Sequence, residues 1–455
     1  MIRLTWVQPE DLVGHELRQA FEDGRYDRHR KEVTAITERW RRAGGPGAPP
    51  RAGASPEPAP PELRRLAGQV LDELAAIPSP LPEPSSLDEI VAACPSWPSS
   101  RPGRGGADPD RVLGAWLGRA AGCVLGKPVE KIPRAGIREI AEATGNWPIR
   151  GWFTAIGLPA DVAAHWPWNR RSAATSLAEN IDGIPEDDDL NFPLLALSLL
   201  ERCGRGFTTD DVARLWLDEL PGGRVFTAER VAYRNLLAGI EPPETATYRN
   251  PFREWIGALI RVDVYGWANP GDPVAAAEFA HRDARLSHTA NGIYGAMFAA
   301  AMCARAMTAS CVDEVIEAGL AVVPPESRLA RAVRTAVADA REEPDFERVV
   351  DRLYERHGDR GHGALHWVHT INNAALIAAA VVHGRGDFTT SIAAAVAGGW
   401  DTDSAGATVG SIVGALNGGV PRQWTTRRSR LASSLAGFDG IGLDELARRT
   451  VALTG

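Results

Sequence analysis

The residues best suited to chemistry are carboxylates. Glu186, Asp187, Asp188 and Asp189 form an unbroken run ahead of an apolar segment. Asp401, Asp403 and Ser404 fall in Gly-Gly-Trp-Asp-Thr-Asp-Ser-Ala-Gly, ahead of a glycine-rich one. Both runs open predicted helices, where an Asp or Ser satisfies free N–H groups and favours the helix dipole. Capping uses one acid. Four in succession repel one another, and water or a cation must relieve that repulsion. Carboxylate and hydroxyl oxygens together suit a hard divalent ion such as Mg2+ or Mn2+. The two runs therefore read either as caps or as halves of one metal site. Glu130 stands apart in Gly-Lys-Pro-Val-Glu (126–130), where Pro128 disfavours continuing the preceding helix and leaves the glutamate on a loop. Alone, it reads as a solvated surface residue. No His/Cys spacing suits zinc, and the sequence has neither a GxxxxGK[ST] phosphate loop nor a GxSxG elbow.

The elements that must position these groups read as helices. Ala/Leu/Gly segments at 112–126, 194–203, 292–307, 373–383, 388–397 and 404–418 are the clearest, and strands do not alternate with them, so the fold class is all-α. Glycines recur every fourth residue at Gly114, Gly118, Gly122 and Gly126, and again at Gly406, Gly410 and Gly414. Each costs roughly 1 kcal/mol of helix propensity against alanine. Four-residue spacing gathers them on one face, which lets two helix backbones approach closely and hold something rigid at their ends. Ordinary helix packing accounts for the same pattern.

The chain has 455 residues and a net charge of -8, which argues against a nucleic-acid binder. No apolar run of membrane-spanning length appears and the N-terminus turns charged too early for a secretory signal, so a cytoplasmic protein is expected. Cys94, Cys123, Cys203, Cys303 and Cys311 lack metal spacing and read as buried reduced thiols. Composition divides the chain into an N-terminal helical extension (1–44), a Pro/Gly/Ser-rich linker with one short helix from Pro61 to Ile77 (45–107), and a compact domain (108–455), which the resemblance given below makes the catalytic one. Residues 1–107 carry no catalytic motif and are expected to be separable from the metal site. The Trp-rich stretch with Trp147, Trp152, Trp166 and Trp168 reads as core packing or as an aromatic wall for a nucleobase.

The order of these segments resembles the ADP-ribosylglycohydrolase family, including the dinitrogenase reductase-activating glycohydrolases. It runs from a glycine-rich helix ending in G-x-P-x-E, through an Asp-Asp cluster and a Ser-His segment, to a late G-G-x-D-x-D-[ST]. The resemblance spans roughly Asp110 to Gly419, and GGWDTDSAGATVGSIVGALNG (398–418) is its most specific part. It implies an all-α domain holding two Mg2+ or Mn2+ ions through Asp187, Asp188, Asp189, Asp401, Asp403 and Ser404. It implies a catalytic glutamate at Glu130 and substrate contacts at His288, Ser287, Gly126 and Trp400. Asp187 takes the place of a family hydroxyl ligand, or Glu186 does in the alternative register, and Leu190 replaces a threonine. Cys123 stands where many relatives carry Asp. The implied activity is hydrolysis of a ribosyl C1 N- or O-glycosidic bond in an ADP-ribosyl conjugate, small or borne on a protein. The alternatives are an N-glycosidase acting on a nucleotide or nucleoside, and a non-catalytic ADP-ribose-binding relative. Neither nucleic acid nor membrane is expected as a partner.

Overall fold

The computed structural model describes residues 3–49, 53–100, 106–169, 172–358 and 365–454. Helices dominate it. The strands among the described residues are the short antiparallel pair Arg430–Leu431 and Ile441–Gly442. Helices Ala290–Ala306 and Thr370–Gly384 are buried along nearly their whole length and form the centre of the core. Their sequences are apolar on every side, as a fully enclosed helix requires.

The two glycine-faced helices, Pro109–Gly126 and Thr402–Asn417, pack antiparallel with their backbones in contact. Gly114 faces Gly414, Gly118 faces Gly410, and Gly122 faces Gly406. A Cβ at any of these positions would overlap a carbonyl group across the seam. The ladder ends where Gly126 meets Thr402, whose hydroxyl donates to the Gly126 carbonyl at 2.8 Å. Beyond that rung, one chain continues into Glu130 and the other begins with Asp401. The close backbone approach expected of the glycine faces is thus observed.

Helix Asp188–Cys203 brings in the early acids, with Asp187 as its cap accepting from the Asp189 N–H at 3.0 Å. Pro193 lies inside this helix and has no N–H to offer the carbonyl four residues earlier, that of Asp189. Arg119, buried in the first glycine helix, takes that carbonyl with its Nε at 2.6 Å. The same guanidinium reaches Asp189 Oδ1 at 3.3 Å and Asp263 Oδ2 at 2.7 Å. One arginine therefore fixes the start of the acidic helix against the glycine seam.

The first residues pack against the later part of the chain. Helix Pro9–Glu22 buries Leu12, Val13 and Ala20, and Glu16 pairs with Arg253 at 2.9 Å. Gln19 donates to Glu254 at 2.6 Å. Arg230 donates to the Thr5 hydroxyl at 2.7 Å and holds the first residues down. Trp6 adopts a left-handed φ of 66° and donates its N–H to Gly53 at 2.6 Å. Its ring lies where a Cβ on Gly53 would be, so only glycine fits there. The proline-rich region carries the expected helix, Pro61–Ala75, and a second, Leu87–Ala92. Residues 50–52 and 101–105 of that region lie outside the described residues.

Candidate metal centre

The loop before the second glycine helix turns through two left-handed residues, Gly399 (φ 76°) and Trp400 (φ 57°). This turn delivers Asp401 to the cap position, where Asn373 accepts its N–H at 3.3 Å. Asp403 follows in the first turn. Across the seam, Glu130 leaves the short 3-10 turn Lys127–Val129. Asn169 donates to its Oε2, and the Lys131 ammonium lies 2.8 Å from its Oε1. Glu130, Asp401 and Asp403 present oxygens that all lie within 4.8 Å of one another. Ser404 ties this group to the early acids by donating to Asp189 Oδ2 at 3.3 Å.

Glu130, Asp187, Asp188, Asp401, Asp403 and Ser404 line one cavity of about 860 Å³, with Asp189 buried behind them. Its other walls include Asn169, Glu229, Phe226, Trp255, Trp367 and, from the extension, Trp6. The aromatic groups connect. Lys131 Nζ sits 5.7 Å from the Trp367 ring, His366 lies between Trp367 and Trp255, and Trp6 meets Trp255 edge-on at 6.1 Å. A line of rings therefore leads away from Glu130.

The electrostatics are those of concentrated negative charge. Burial first, then Asp403 and Glu130, push the Asp401 carboxyl well above the usual carboxylate range. Burial, Glu130 and Asp187 push Asp403 up to about 7. Asp188 is raised by burial, Asp187 and Asp403, and Asp189 by burial and the neighbouring acids despite Arg119. Asp187 moves the other way: burial opposes ionisation, but the Lys127 ammonium and the Asp189 N–H outweigh it. Carboxyls held partly protonated in this way gain their full charge when a cation is present. The donor set is hard oxygen, which fits Mg2+ or Mn2+. Asp401 and Asp403 have no salt-bridge partner among the described residues.

The four candidate substrate contacts fall elsewhere. His288 and Ser287 are buried, with Ser287 Oγ 2.8 Å from His288 Nδ1 and accepting from Arg261 Nη2 at 3.0 Å. Arg261 also holds Glu229 at 2.7 Å, so the pair stands one layer behind the cavity wall. Gly126 closes the glycine ladder, and Trp400 stacks on Tyr354 at 4.4 Å. Trp147, Trp152, Trp166 and Trp168 lie outside the cavity lining. Trp152 packs on Trp424, Trp166 donates to Glu139, Trp168 meets Phe153, and Trp147 lies beneath Arg138. Sequence reasoning missed Arg119, Lys127, Asn169 and the rings of Trp6, Trp255 and Trp367. Only Lys127 carried a signal, as a lone cation inside the G-x-P-x-E segment. Cys94, Cys123 and Cys303 are buried free thiols as expected, whereas Cys203 and Cys311 are exposed.

Fold and site define an all-helical protein whose acidic helix ends meet at one cavity. No helix among the described residues is long and apolar enough to cross a membrane. The family model for ADP-ribosylglycohydrolase matches residues 106–454, and the chain belongs to that family. A solved structure described as an ADP-ribosylglycohydrolase-related protein complex is similar at 23% identity, with 76% of this chain and 97% of that chain covered and a TM-score of 0.46. No curated protein matches the chain. Membership supports a glycohydrolase-type activity.

Proposed function

We propose that this protein is a Mg2+- or Mn2+-dependent hydrolase of the ribosyl C1 glycosidic bond in ADP-ribosyl conjugates. The observation that carries the reading is the meeting of Glu130, Asp188, Asp401 and Asp403 on one cavity wall, from three distant parts of the chain; burial, and after it the neighbouring acids, raises the carboxyls of Asp188, Asp401 and Asp403. Asp188, Asp401, Asp403 and Ser404 would hold the cation, which would supply Lewis acidity at this end of the cavity. Glu130 orients the attacking water or takes its proton, and Asn169 and Lys131 fix the carboxylate from either side. Cleavage builds positive charge on the ribose ring, and the surrounding carboxylates stabilise it. Glu229, held by Arg261, faces the same cavity and is placed to accept hydrogen bonds from sugar hydroxyls. The aromatic line toward Trp6 suits a planar base.

The test is a metal-supplemented assay of chelator-stripped protein on ADP-ribosyl arginine, ADP-ribosyl serine, NAD and common nucleotides. Release of ADP-ribose from a conjugate, dependent on added Mg2+ or Mn2+, is the expected result. Turnover of nucleotides alone moves the protein to the N-glycosidase reading, and metal-independent turnover overturns the role given to the acids.

A further inference from the structure

Two clusters of candidate ligands meet at the cavity, and their partners differ. Cys123, Asp187 and Asp189 also present ligand atoms within 4.8 Å of one another, so geometry alone allows a second cation there. Each of those atoms is nevertheless engaged or disabled. The Lys127 ammonium sits on Asp187 Oδ2 and donates to the Glu186 carbonyl at 2.9 Å. Asp189 Oδ1 faces Arg119 and its Oδ2 accepts from Ser404. Cys123 is buried and offers only sulfur, a soft donor that a hard ion such as Mg2+ or Mn2+ does not select.

Lys127 is not a surface lysine that happens to reach an acid. It lies one residue beyond the last rung of the glycine ladder, so its backbone is fixed by the Gly126–Thr402 contact. Its side chain is mostly enclosed and lines the cavity beside Asp187. A buried ammonium paired this way is costly to displace, because both it and its partner would lose compensation together. Glu130, Asp401 and Asp403 differ: among the described residues their one ion pair is that of Lys131 with Glu130, at 2.8 Å, while Lys127 pairs with Asp187 and acts on Asp403 only through space.

We propose that the centre takes one divalent ion, held by Asp401 and Asp403 beside Glu130, and that the Lys127 ammonium occupies the role of a second cation at Asp187. This rests on the metal reading above and narrows it from two ions to one. It also accounts for an acid at position 187: the acid and the lysine are a charge-matched pair.

The test is a stoichiometry, not an activity. Chelator-stripped full chain is titrated with Mn2+, and free Mn2+ is followed by electron paramagnetic resonance. The wild type is expected to retain one ion per chain. Lys127→Met is expected to bind a second ion, because Asp187 is released beside Asp188, which lies against it and has no ion-pair partner among the described residues. Lys127→Arg, which keeps the charge, is expected to remain at one and shows whether the position tolerates change. Two tightly bound ions in the wild type would overturn the proposal while leaving the metal-dependent reading intact. A Lys127→Met protein that stays folded and still binds one ion would overturn the role given to Lys127. No binding to the wild type at millimolar Mn2+ would overturn both readings.

Discussion

Gly122→Ala sets two effects against each other on one atom. Helix propensity alone predicts stabilisation by about 1 kcal/mol. The added Cβ, however, would overlap the Gly406 carbonyl carbon and oxygen and the Ala407 nitrogen. These are backbone atoms of a hydrogen-bonded helix and cannot rotate aside as a side chain would. The two helices must separate, and overpacking of this kind costs about 1–3 kcal/mol. The balance is a destabilisation of roughly 0–2 kcal/mol, modest for a chain of this size. The effect on the site is larger. Glu130 and the Asp401–Asp403 pair are carried by opposite sides of the seam, just beyond its last rung at Gly126 and Thr402. A misplacement of about 1 Å costs on the order of 100-fold in catalysis. Calorimetry of chelator-stripped Gly122→Ala protein should therefore show Mn2+ affinity reduced about 10-fold or more while Tm falls only slightly. Gly206→Ala, where no atom lies within 4 Å of the new Cβ, is the control and should change neither. A Gly122→Ala protein with a raised Tm and unaltered Mn2+ affinity would refute the argument that the seam aligns the site.

Three further outcomes are expected. The Asp403 carboxyl, pushed up to about 7, has its folded-state pKa above its unfolded one. Its protonated form therefore favours the metal-free fold below the ordinary carboxylate range, and that contribution is lost as pH rises through about 7. Because the cation displaces the proton, the Tm difference between metal-loaded and metal-free protein should widen between about pH 5.5 and about pH 8. A constant difference, by calorimetry, contradicts the assignment. Glu130→Gln should lower turnover about 100-fold, with KM little changed, in steady-state kinetics; unaltered turnover removes it from the chemistry. Trp6→Ala should raise KM about 10-fold at similar kcat, with partial rescue by Trp6→Phe, since stacking on a base is worth about 1–3 kcal/mol; an unchanged KM would make Trp6 a packing residue only.

The sequence was most informative where spacing is enforced by backbone contact. Glycines four residues apart announced a close seam, and the helices expected at 112–126 and 404–418 are observed as Pro109–Gly126 and Thr402–Asn417. Apolar segments at 292–307 and 373–383 became the central helices Ala290–Ala306 and Thr370–Gly384. The acids at 188, 189, 401 and 403 were legible as helix openings, and the structure gathers them. What was hidden depends on tertiary proximity. Arg119 looks like a stray charge in an apolar helix until Pro193, far along the chain, is seen to free the carbonyl it serves. Pro193 itself lies just ahead of the segment read as helical, 194–203, while the helix begins at Asp188. Trp6 sits in a segment with no motif, and only docking through Arg230 and Gly53 makes it a cavity wall. The tryptophans at 147–168 drew attention by density, yet each finds a packing partner away from the cavity.

A seam made of glycines every fourth residue has a degeneracy. Sliding one helix past the other by four residues would again set glycine against glycine, for instance Gly118 against Gly406, with little loss of fit along the contact. That slide moves the helix ends apart by about 6 Å, at 1.5 Å per residue. Glu130 and Asp403 could then no longer face one another across the site. The seam thus supplies closeness but cannot by itself choose its own alignment. The choice falls to groups that occur once: the Thr402 hydroxyl on the Gly126 carbonyl, and Arg119 between Asp189 and Asp263. These few polar contacts act as an index mark on an otherwise repeating scale, and a cation bridging the two sides would read the same mark.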